Sequence, residues 1–177
     1  MTDRSGSRPR VVLVGAMGAG KTTVGRLLAE ALGVEFLDTD EVIERAEGRA
    51  VAEIFVDDGE AYFRRLERDA VAQALATHTG VLALGGGAVL DPDTRTLLHG
   101  QPVVFLRVGL SDAASRVGLG VSRPLLLGNV RGRIKQLLDE RTPVYESVAQ
   151  HVVDTDGLTA GEVADRVLAV VEDGVHE

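Results

Sequence analysis

The feature that most constrains the fold of this chain is a glycine-rich loop near its start, set between a strand pattern and a helix pattern. The short apolar run Val11–Val14 precedes the loop and is typical of a strand buried on both faces. Apolar residues then recur at helical spacing from Val24 to Leu32, and Gly33 follows where a helix commonly ends. This order of elements predicts the first unit of a parallel α/β sheet.

The loop has the spacing of a phosphate-binding loop, or P-loop. Residues 15–22 fit the pattern G-x-x-x-x-G-K-[ST] at every fixed position. Glycines let backbone N–H groups turn inward around phosphate oxygens, and the helix N-terminus adds partial positive charge. We expect Lys21 to reach the β- and γ-phosphates of a nucleotide and the Thr22 hydroxyl to bind Mg²⁺. The predicted nucleotide contacts are Gly18, Ala19, Gly20, Lys21, Thr22 and Thr23. The alternative is a plain glycine turn followed by an accidental Lys-Thr pair.

Strand and helix patterns alternate along the rest of the chain. Four further strands are predicted at 35–37, 81–84, 103–108 and 151–153. Helices are predicted at 41–77 with an interruption near 57–59, from a Ser111 cap through 117, at 130–147, and after a capping box at 159–162. The fold class is therefore α/β, with a five-stranded parallel sheet flanked by helices. We expect one domain over residues 1–177, with residues 1–9 disordered.

Composition excludes several classes of protein. The chain has 177 residues, of which 19 are basic and 27 acidic, giving a formal net charge of −8 without a basic block. Such a chain is a poor candidate for binding nucleic acid or an anionic membrane. The absence of cysteine rules out disulfides, a thiolate nucleophile and cysteine-ligated metals. With no apolar run near the ~20 residues of a membrane span, we expect a soluble cytoplasmic protein.

The P-loop alone leaves GTPases, helicase-type motors and small-molecule kinases open. A Ras-like GTPase would carry an N-K-x-D pattern, which is missing from this chain. A nucleic-acid motor would need a basic surface. The short acidic chain therefore favours a compact small-molecule kinase.

Further motifs along the chain make the prediction specific. They are Leu37–Asp40 (L-D-T-D), Asp58–Glu60 (D-G-E), Phe63–Glu67 (F-R-R-L-E), Leu84–Ala88 (L-G-G-G-A), Arg123–Leu126 (R-P-L-L) and Arg141–Tyr145 (R-T-P-V-Y). With the P-loop, and in this order, they resemble the shikimate kinase family from about Arg10 to Glu172.

The resemblance implies an enzyme that uses ATP and Mg²⁺ to phosphorylate the 3-hydroxyl of shikimate, on the route to chorismate and the aromatic amino acids. It also implies a monomer built on a P-loop kinase core. In that architecture a helical segment at about 40–77 binds the substrate, and a mobile lid lies at about 117–129.

Residue roles follow from the same resemblance. Asp40 would accept hydrogen bonds from substrate hydroxyls and orient or deprotonate the attacking one, while Asp38 would hold Mg²⁺, through water. If this segment is extended, the two carboxylates project to the same side. The resemblance places Arg64 and Arg141 on the substrate carboxylate, which suits a guanidinium fork.

The remaining implied contacts surround the nucleotide and the substrate ring. Arg116 would lie against adenine, and Arg123 would reach the γ-phosphate from the lid. Backbone N–H groups of Gly85, Gly86 and Gly87 would approach the substrate, with Phe55 and Phe63 near its ring.

Simpler interpretations compete at each of these positions. Asp38 and Asp40 fit a helix-capping pair, and the three glycines fit a flexible turn. Phe55 and Phe63 fit a core at helical spacing. Arg64, Arg65 and Arg68 fit a solvated helix face paired with Glu60, Glu67 and Asp69, and we prefer that interpretation for Arg65 and Arg68.

Two segments depart from the family pattern. Residues 156–158 (D-G-L) stand where the family often has a polar or basic loop beside adenine, and residues 118–122 of the lid are apolar and glycine-rich. Two other functions remain open from the residues: a kinase for another polyhydroxy acid, and a P-loop module that binds without turnover.

Overall fold

A five-stranded parallel sheet forms the centre of the molecule, as predicted. The computed structural model describes residues 8–118 and 130–173. The strands run in the order β2-β3-β1-β4-β5, and every neighbouring pair is parallel. Their bounds are β1 Val11–Val14, β2 Phe36–Asp38, β3 Val81–Ala83, β4 Val103–Arg107 and β5 His151–Asp154.

Helices cover both faces of this sheet. Their bounds are α1 Lys21–Leu32, α2 Thr39–Glu47, α3 Val51–Asp58, α4 Glu60–Thr77, α5 Pro92–Leu98, α6 Leu110–Gly118, α7 Val130–Val148 and α8 Ala160–Asp173. Side chains alternate along β1, so Val11 and Leu13 pack with residues of α1 and α8. Val12 and Val14 pack instead with residues of α4, α5 and α7. The two apolar layers hold the sheet between helices, which leaves the strand ends free to form a site.

The segment predicted to bind substrate is three helices rather than the two predicted. Besides the break at Gly59, a second break separates α2 from α3, where Gly48 takes a left-handed φ of 69°. Ile43, Ile54 and Phe63 form a small apolar core that joins the three helices. This segment therefore has its own packing and stands beside the sheet.

Several predicted boundaries were wrong by a residue or a turn. Strand β2 begins one residue later than predicted, so Asp38 is its last residue. Ser111 does not cap α6, because the helix begins at Leu110 and the Ala113 N–H already donates to the Gly109 carbonyl. A 3-10 turn at Ala88–Leu90 and helix α5 were not predicted. The capping box of α8 is present, with the Glu162 N–H donating to Thr159 Oγ1 at 3.2 Å.

The carboxyl ends of β1, β2 and β3 meet at one edge of the sheet. In parallel α/β sheets this edge is where ligands bind. The P-loop follows β1, Thr39 and Asp40 follow β2, and Gly85 lies just beyond β3. Three predicted motifs thus come together here.

Part of the predicted lid and of the chain start lies outside the described residues. This applies to residues 1–7 and 119–129, the latter including Arg123. Among the helices that the structure does describe, none combines the length and hydropathy needed to cross a membrane.

Candidate active site

The P-loop closes around its own lysine. Gly20 takes a φ of 91°, a left-handed conformation that glycine adopts without strain, and helix α1 begins immediately after it. Lys21 Nζ donates to the carbonyls of Gly15 at 2.6 Å and Ala16 at 3.1 Å. Burial lowers the pKa of Lys21 to about 8, while Asp40 and Asp38 oppose that shift. The ammonium therefore lies between the loop and the two carboxylates.

Arg116 lies across the outer side of the P-loop. Its guanidinium donates to the Gly18 carbonyl at 3.0 Å and to the carbonyl of buried Thr155 at 3.3 Å. The arginine thus connects the loop after β1 to the loop after β5, and the adenine pocket implied by the resemblance would lie beside it. Of the other predicted nucleotide contacts, Ala19 is buried, whereas Thr23 is exposed on the first turn of α1.

The divergent 156–158 segment is held by carboxylates rather than by basic side chains. Asp156 accepts two hydrogen bonds from the Gly109 N–H, at 2.9 and 3.1 Å. Asp112 accepts one from the Gly157 N–H at 3.0 Å. These bonds join this loop to the start of α6, close to Arg116. Hydrogen bonds within the chain therefore hold the loop in place.

Thr22 and Asp38, the predicted metal ligands, lie side by side. The Thr22 hydroxyl donates to Asp38 Oδ2 at 3.1 Å. A hydroxyl next to a carboxylate is a pair of hard oxygen ligands, and Mg²⁺ is commonly held by one or two such groups together with substrate phosphates. The residues present therefore fit Mg²⁺ at the mouth of the P-loop.

Asp38 and Asp40 are brought together by a strand-to-helix junction. The condition of an extended segment is not met, since Asp38 ends β2 whereas Asp40 is in the first turn of α2, as the capping alternative expects. Asp38 is the N-cap of that helix, and its Oδ1 accepts a hydrogen bond from the Asp40 N–H at 2.9 Å. Asp38 therefore has two roles, because capping uses one oxygen while the other contacts Thr22.

Asp40 is a buried carboxylate with a free oxygen. Its Oδ1 is inaccessible to solvent and accepts no hydrogen bond from any described residue. Burial, together with the nearby charges of Asp38 and Glu67, raises the pKa of Asp40 to about 6, although the Lys21 charge opposes that shift. An unsatisfied buried acceptor raises the free energy of the ionised carboxylate. Because the Asp40 side chain as a whole is only partly buried, a substrate hydroxyl would reach the carboxylate at its other oxygen, Oδ2.

The three glycines after β3 form a surface against which the functional side chains pack. A Cβ atom at Gly85 would lie 2.6 Å from Asp40 Oδ1, and one at Gly87 would lie 2.5 Å from Arg64 Nη1. Gly86 has Arg141 Nη1 3.7 Å from the corresponding position. Because the glycines are consecutive, Asp40, Arg141 and Arg64 converge over one stretch of backbone. Close approach of other groups, rather than a flexible turn, explains why Gly85 and Gly87 carry no side chain.

Two residues that the sequence analysis did not select hold this arrangement. Glu67, which is 4 % exposed, accepts a hydrogen bond from Arg64 Nη1 at 2.7 Å. Burial raises the pKa of Glu67, and the Arg64 charge opposes that shift. Thr39 is fully buried, and its hydroxyl accepts a hydrogen bond from the Gly85 N–H at 3.2 Å. The sequence signal for Glu67 was its i, i+3 spacing from Arg64. The signal for Thr39 was its position between two aspartates.

The neighbouring arginines of α4 differ as expected. Arg65 and Arg68 are exposed, in contrast to Arg64. The acidic partners predicted for Arg65 and Arg68 were wrong. Arg68 pairs with Asp91 at 2.7 Å, and Glu60 and Glu67 both pair with Arg64 instead. The helix therefore turns only one of its three arginines toward the glycines.

The two phenylalanines occupy different environments. Their ring centroids are 4.9 Å apart. Phe63 is 3 % exposed and belongs to the core of the helical segment, whereas Phe55 is half-buried. The Arg64 guanidinium carbon lies 5.5 Å from the Phe63 ring centroid. The core interpretation thus fits Phe63, and both rings remain on the side of α4 that carries Arg64.

Comparison with known proteins identifies the family. A family model described as shikimate kinase matches residues 17–172. The chain belongs to the shikimate kinase family. A shikimate kinase of Thermobifida fusca is 58 % identical over 161 residues, covering 91 % of this chain and 94 % of its own. One of Streptomyces coelicolor is 57 % identical over 166 residues, with 94 % and 97 % covered.

Solved structures agree with this membership. The shikimate kinase from Acinetobacter baumannii, solved in complex with shikimate, superposes with a TM-score of 0.88 at 37 % identity. The superposition covers 94 % of both chains. This chain is therefore a kinase with the shikimate kinase fold, and ATP is the co-substrate of its family.

Proposed function

We propose that this chain transfers the γ-phosphoryl group of ATP to the 3-hydroxyl of shikimate, giving shikimate 3-phosphate and ADP. The observation that carries the proposal is the convergence of Asp40, Arg64 and Arg141 over Gly85–Gly87. It provides a proton acceptor and two guanidinium groups on one surface, next to a P-loop. Shikimate offers the matching groups, a ring hydroxyl and a carboxylate.

Binding orients the acceptor. The two guanidinium groups would bind the shikimate carboxylate through charge-assisted hydrogen bonds, which fix the ring in one direction. Arg64 is already held by Glu67 before substrate arrives. Backbone N–H groups of Gly85–Gly87 would approach the substrate, and Phe55 and Phe63 would give the ring an apolar wall.

Asp40 would then activate the attacking hydroxyl. The Asp40 carboxylate accepts the proton of the 3-hydroxyl while that hydroxyl oxygen forms a bond to the γ-phosphorus. The bond from the γ-phosphorus to the β–γ bridging oxygen breaks, and its electron pair leaves with ADP. With a pKa of about 6, Asp40 is ionised at neutral pH and able to take this proton.

The positive charge that stabilises the phosphates would come from the P-loop and its neighbours. Lys21 would exchange its bonds to the loop carbonyls for oxygens of the β- and γ-phosphates. Thr22 and Asp38 would hold Mg²⁺, which when bound neutralises charge on the β- and γ-phosphates. We also assign adenine contact to Arg116, and γ-phosphate contact to Arg123, which lies outside the described residues.

The cellular location and the oligomeric state of the chain are also part of the proposal. We propose that the chain acts as a cytoplasmic monomer within the route to chorismate, as its family does. Light scattering coupled to size-exclusion chromatography tests the monomer directly, because a dimer would double the measured mass.

The experiment that tests this function is a panel of acceptors. ADP release is measured with Mg²⁺-ATP and shikimate, quinate, gluconate or no acceptor. We expect release to depend on shikimate and to stay near the acceptor-free rate with gluconate. Turnover with gluconate or quinate alone would indicate a kinase for another polyhydroxy acid. Calorimetric binding of shikimate without any ADP would indicate a binding module, and either result overturns the proposal.

A further inference from the structure

Tyr145 is a buried polar group that the proposed reaction does not use. It is 1 % exposed on α7, and its ring packs against Phe105 with centroids 5.0 Å apart. Its hydroxyl donates to the carbonyl of Gly86 at 2.5 Å. A tyrosine needed only for packing would require no hydroxyl here, since a phenylalanine ring fills the same space. The bond to Gly86 therefore points to a function at the glycine surface.

Arg141 lies one helical turn earlier, and its positive charge acts on the same hydroxyl. Residues four apart on a helix share a face, so the phenol and the guanidinium lie together. Arg141 Nη1 in turn lies beside Gly86, 3.7 Å from where a Cβ would be. The phenol and the guanidinium thus meet at Gly86, where the phenol donates to the carbonyl and its oxygen can still accept from the guanidinium.

The protonation state of the phenol suits this connection. Burial raises the pKa of Tyr145, while the Arg141 charge and hydrogen bond oppose the shift. The other charged groups that act on the phenol are Arg64 and Glu67. A neutral phenol can donate and accept at once, whereas a phenolate could not donate to the Gly86 carbonyl.

We propose that Tyr145 is a positioning residue for substrate recognition, which holds Arg141 over Gly86 ready for the substrate carboxylate. An arginine side chain has many rotamers, and a ligand that must order it loses affinity. On the other side of the glycine surface, Glu67 does the same for Arg64. The two guanidinium groups are therefore each ordered before the carboxylate binds. This inference rests on the proposed shikimate kinase activity.

The first test compares Tyr145→Phe with Tyr62→Phe. Tyr62 is the matched control, because its hydroxyl donates to the Glu47 carboxylate at 3.0 Å rather than to a glycine carbonyl. Losing the hydroxyl that holds Arg141 over Gly86 should cost about as much as one hydrogen bond, which predicts an increase of about tenfold in KM for shikimate in Tyr145→Phe. KM for ATP and kcat should stay within about twofold, and Tyr62→Phe should match the parent enzyme. An unchanged KM for shikimate, or equal rises in both KM values, would overturn the proposal.

A second test asks whether Tyr145 acts through Arg141. In an Arg141→Ala background, adding Tyr145→Phe should change KM for shikimate by less than about twofold, because the group to be positioned is gone. A further tenfold rise in the double variant would mean that Tyr145 acts independently of Arg141, and would contradict the inference.

A third measurement does not depend on how much of the variant folds. Shikimate methyl ester lacks the carboxylate charge, so its KM should be the same in Tyr145→Phe and the parent enzyme. The ratio of the two KM values is measured within one sample, and KM does not depend on the folded fraction. An equal penalty for acid and ester would contradict the inference. If the parent enzyme gives no shikimate-dependent ADP, the proposed function fails instead, so the two failures are distinct.

Discussion

In the proposed reaction, turnover depends on the charges of Asp40 and Lys21. Asparagine at position 40 keeps the shape of the side chain but accepts no proton, so Asp40→Asn should lower kcat by about 100-fold or more. Lys21→Ala should cause a loss of the same order, because its ammonium lies between the P-loop and the two carboxylates. Steady-state ADP release at saturating shikimate measures both effects. A kcat within tenfold of the parent in Asp40→Asn would contradict the role of Asp40 as proton acceptor.

The same substitution should stabilise the free enzyme in a pH-dependent way. The pKa of Asp40 rises from 3.8 to about 6 on folding, so the protonated form favours the folded state. That stability is fully present below pH ~4 and is lost as the pH rises through about 6. Above that pH the ionised carboxylate costs at most about 3 kcal/mol, from ~2 pKa units at 1.36 kcal/mol each. Asp40→Asn should therefore raise Tm at pH 7.5 and leave it nearly unchanged at pH 4.

Calorimetry without nucleotide or Mg²⁺ measures this difference. Asp57→Asn is a matched control, since Asp57 is exposed at the end of α3. A fall in Tm at pH 7.5 for Asp40→Asn would show that the ionised carboxylate stabilises the fold.

Arg64 and Arg65 are neighbours in sequence but should differ in function. Arg64 is held by Glu67 over Gly87, whereas Arg65 is exposed. Arg64→Ala should lower kcat/KM for shikimate by about 100-fold, and Arg65→Ala by less than about twofold. The two variants serve as each other's control. Equal losses would refute the assignment of the carboxylate clamp to Arg64.

At the scale of residues, the sequence predicts identities better than partners. The P-loop fit predicts Lys21 and Thr22 directly because spacing alone defines that motif. Glu67 could not be found in this way, since a glutamate one turn from an arginine is common on solvated helices. Only the tertiary packing that buries Glu67 to 4 % exposure distinguishes it.

At the scale of elements, the glycine surface should tolerate no added side chain. In Gly87→Ala the new methyl group would meet Arg64 Nη1 at 2.5 Å, so the guanidinium must move. Misplacement of a binding group by about 1 Å can cost up to 100-fold in rate, so we expect kcat/KM for shikimate to fall by about 10- to 100-fold. Gly161→Ala on α8 is the matched control, because the nearest atom to an added Cβ there is Thr159 Oγ1, 3.9 Å away. Similar activity in the two variants would contradict close packing at the glycines.

Several starts and ends of helices could not be predicted, because the sequence pattern does not mark them. The break at Gly48 and the short helix α5 were missed because no strong apolar periodicity marks either of them in the sequence. The sequence left open whether Asp40 is extended or helical, and the cap decides it, since Asp38 caps α2 and the helix begins directly after the strand. Strong signals, such as the valine-rich β1 and the Gly33 stop of α1, gave the correct elements.

At the scale of the whole molecule, a chain of net charge −8 gathers cations where its substrates would bind. Lys21, Arg64, Arg116 and Arg141 come from four different helices and meet around the carboxyl ends of the strands. Parallel strand order explains this, because it brings the loops after β1, β2 and β3 to one edge. The sequence predicted a parallel sheet from alternation alone, whereas the strand order and the contacts across the edge required the folded chain.

The measurement that tests the central claim most directly is the position of the transferred phosphoryl group. Phosphorus NMR of the product formed from Mg²⁺-ATP and shikimate should show one phosphoester, coupled to the proton on carbon 3. That result follows if Arg64 and Arg141 hold the carboxylate while Asp40 takes the proton of the 3-hydroxyl. A phosphoester coupled to a different ring proton, or only inorganic phosphate, would contradict the account.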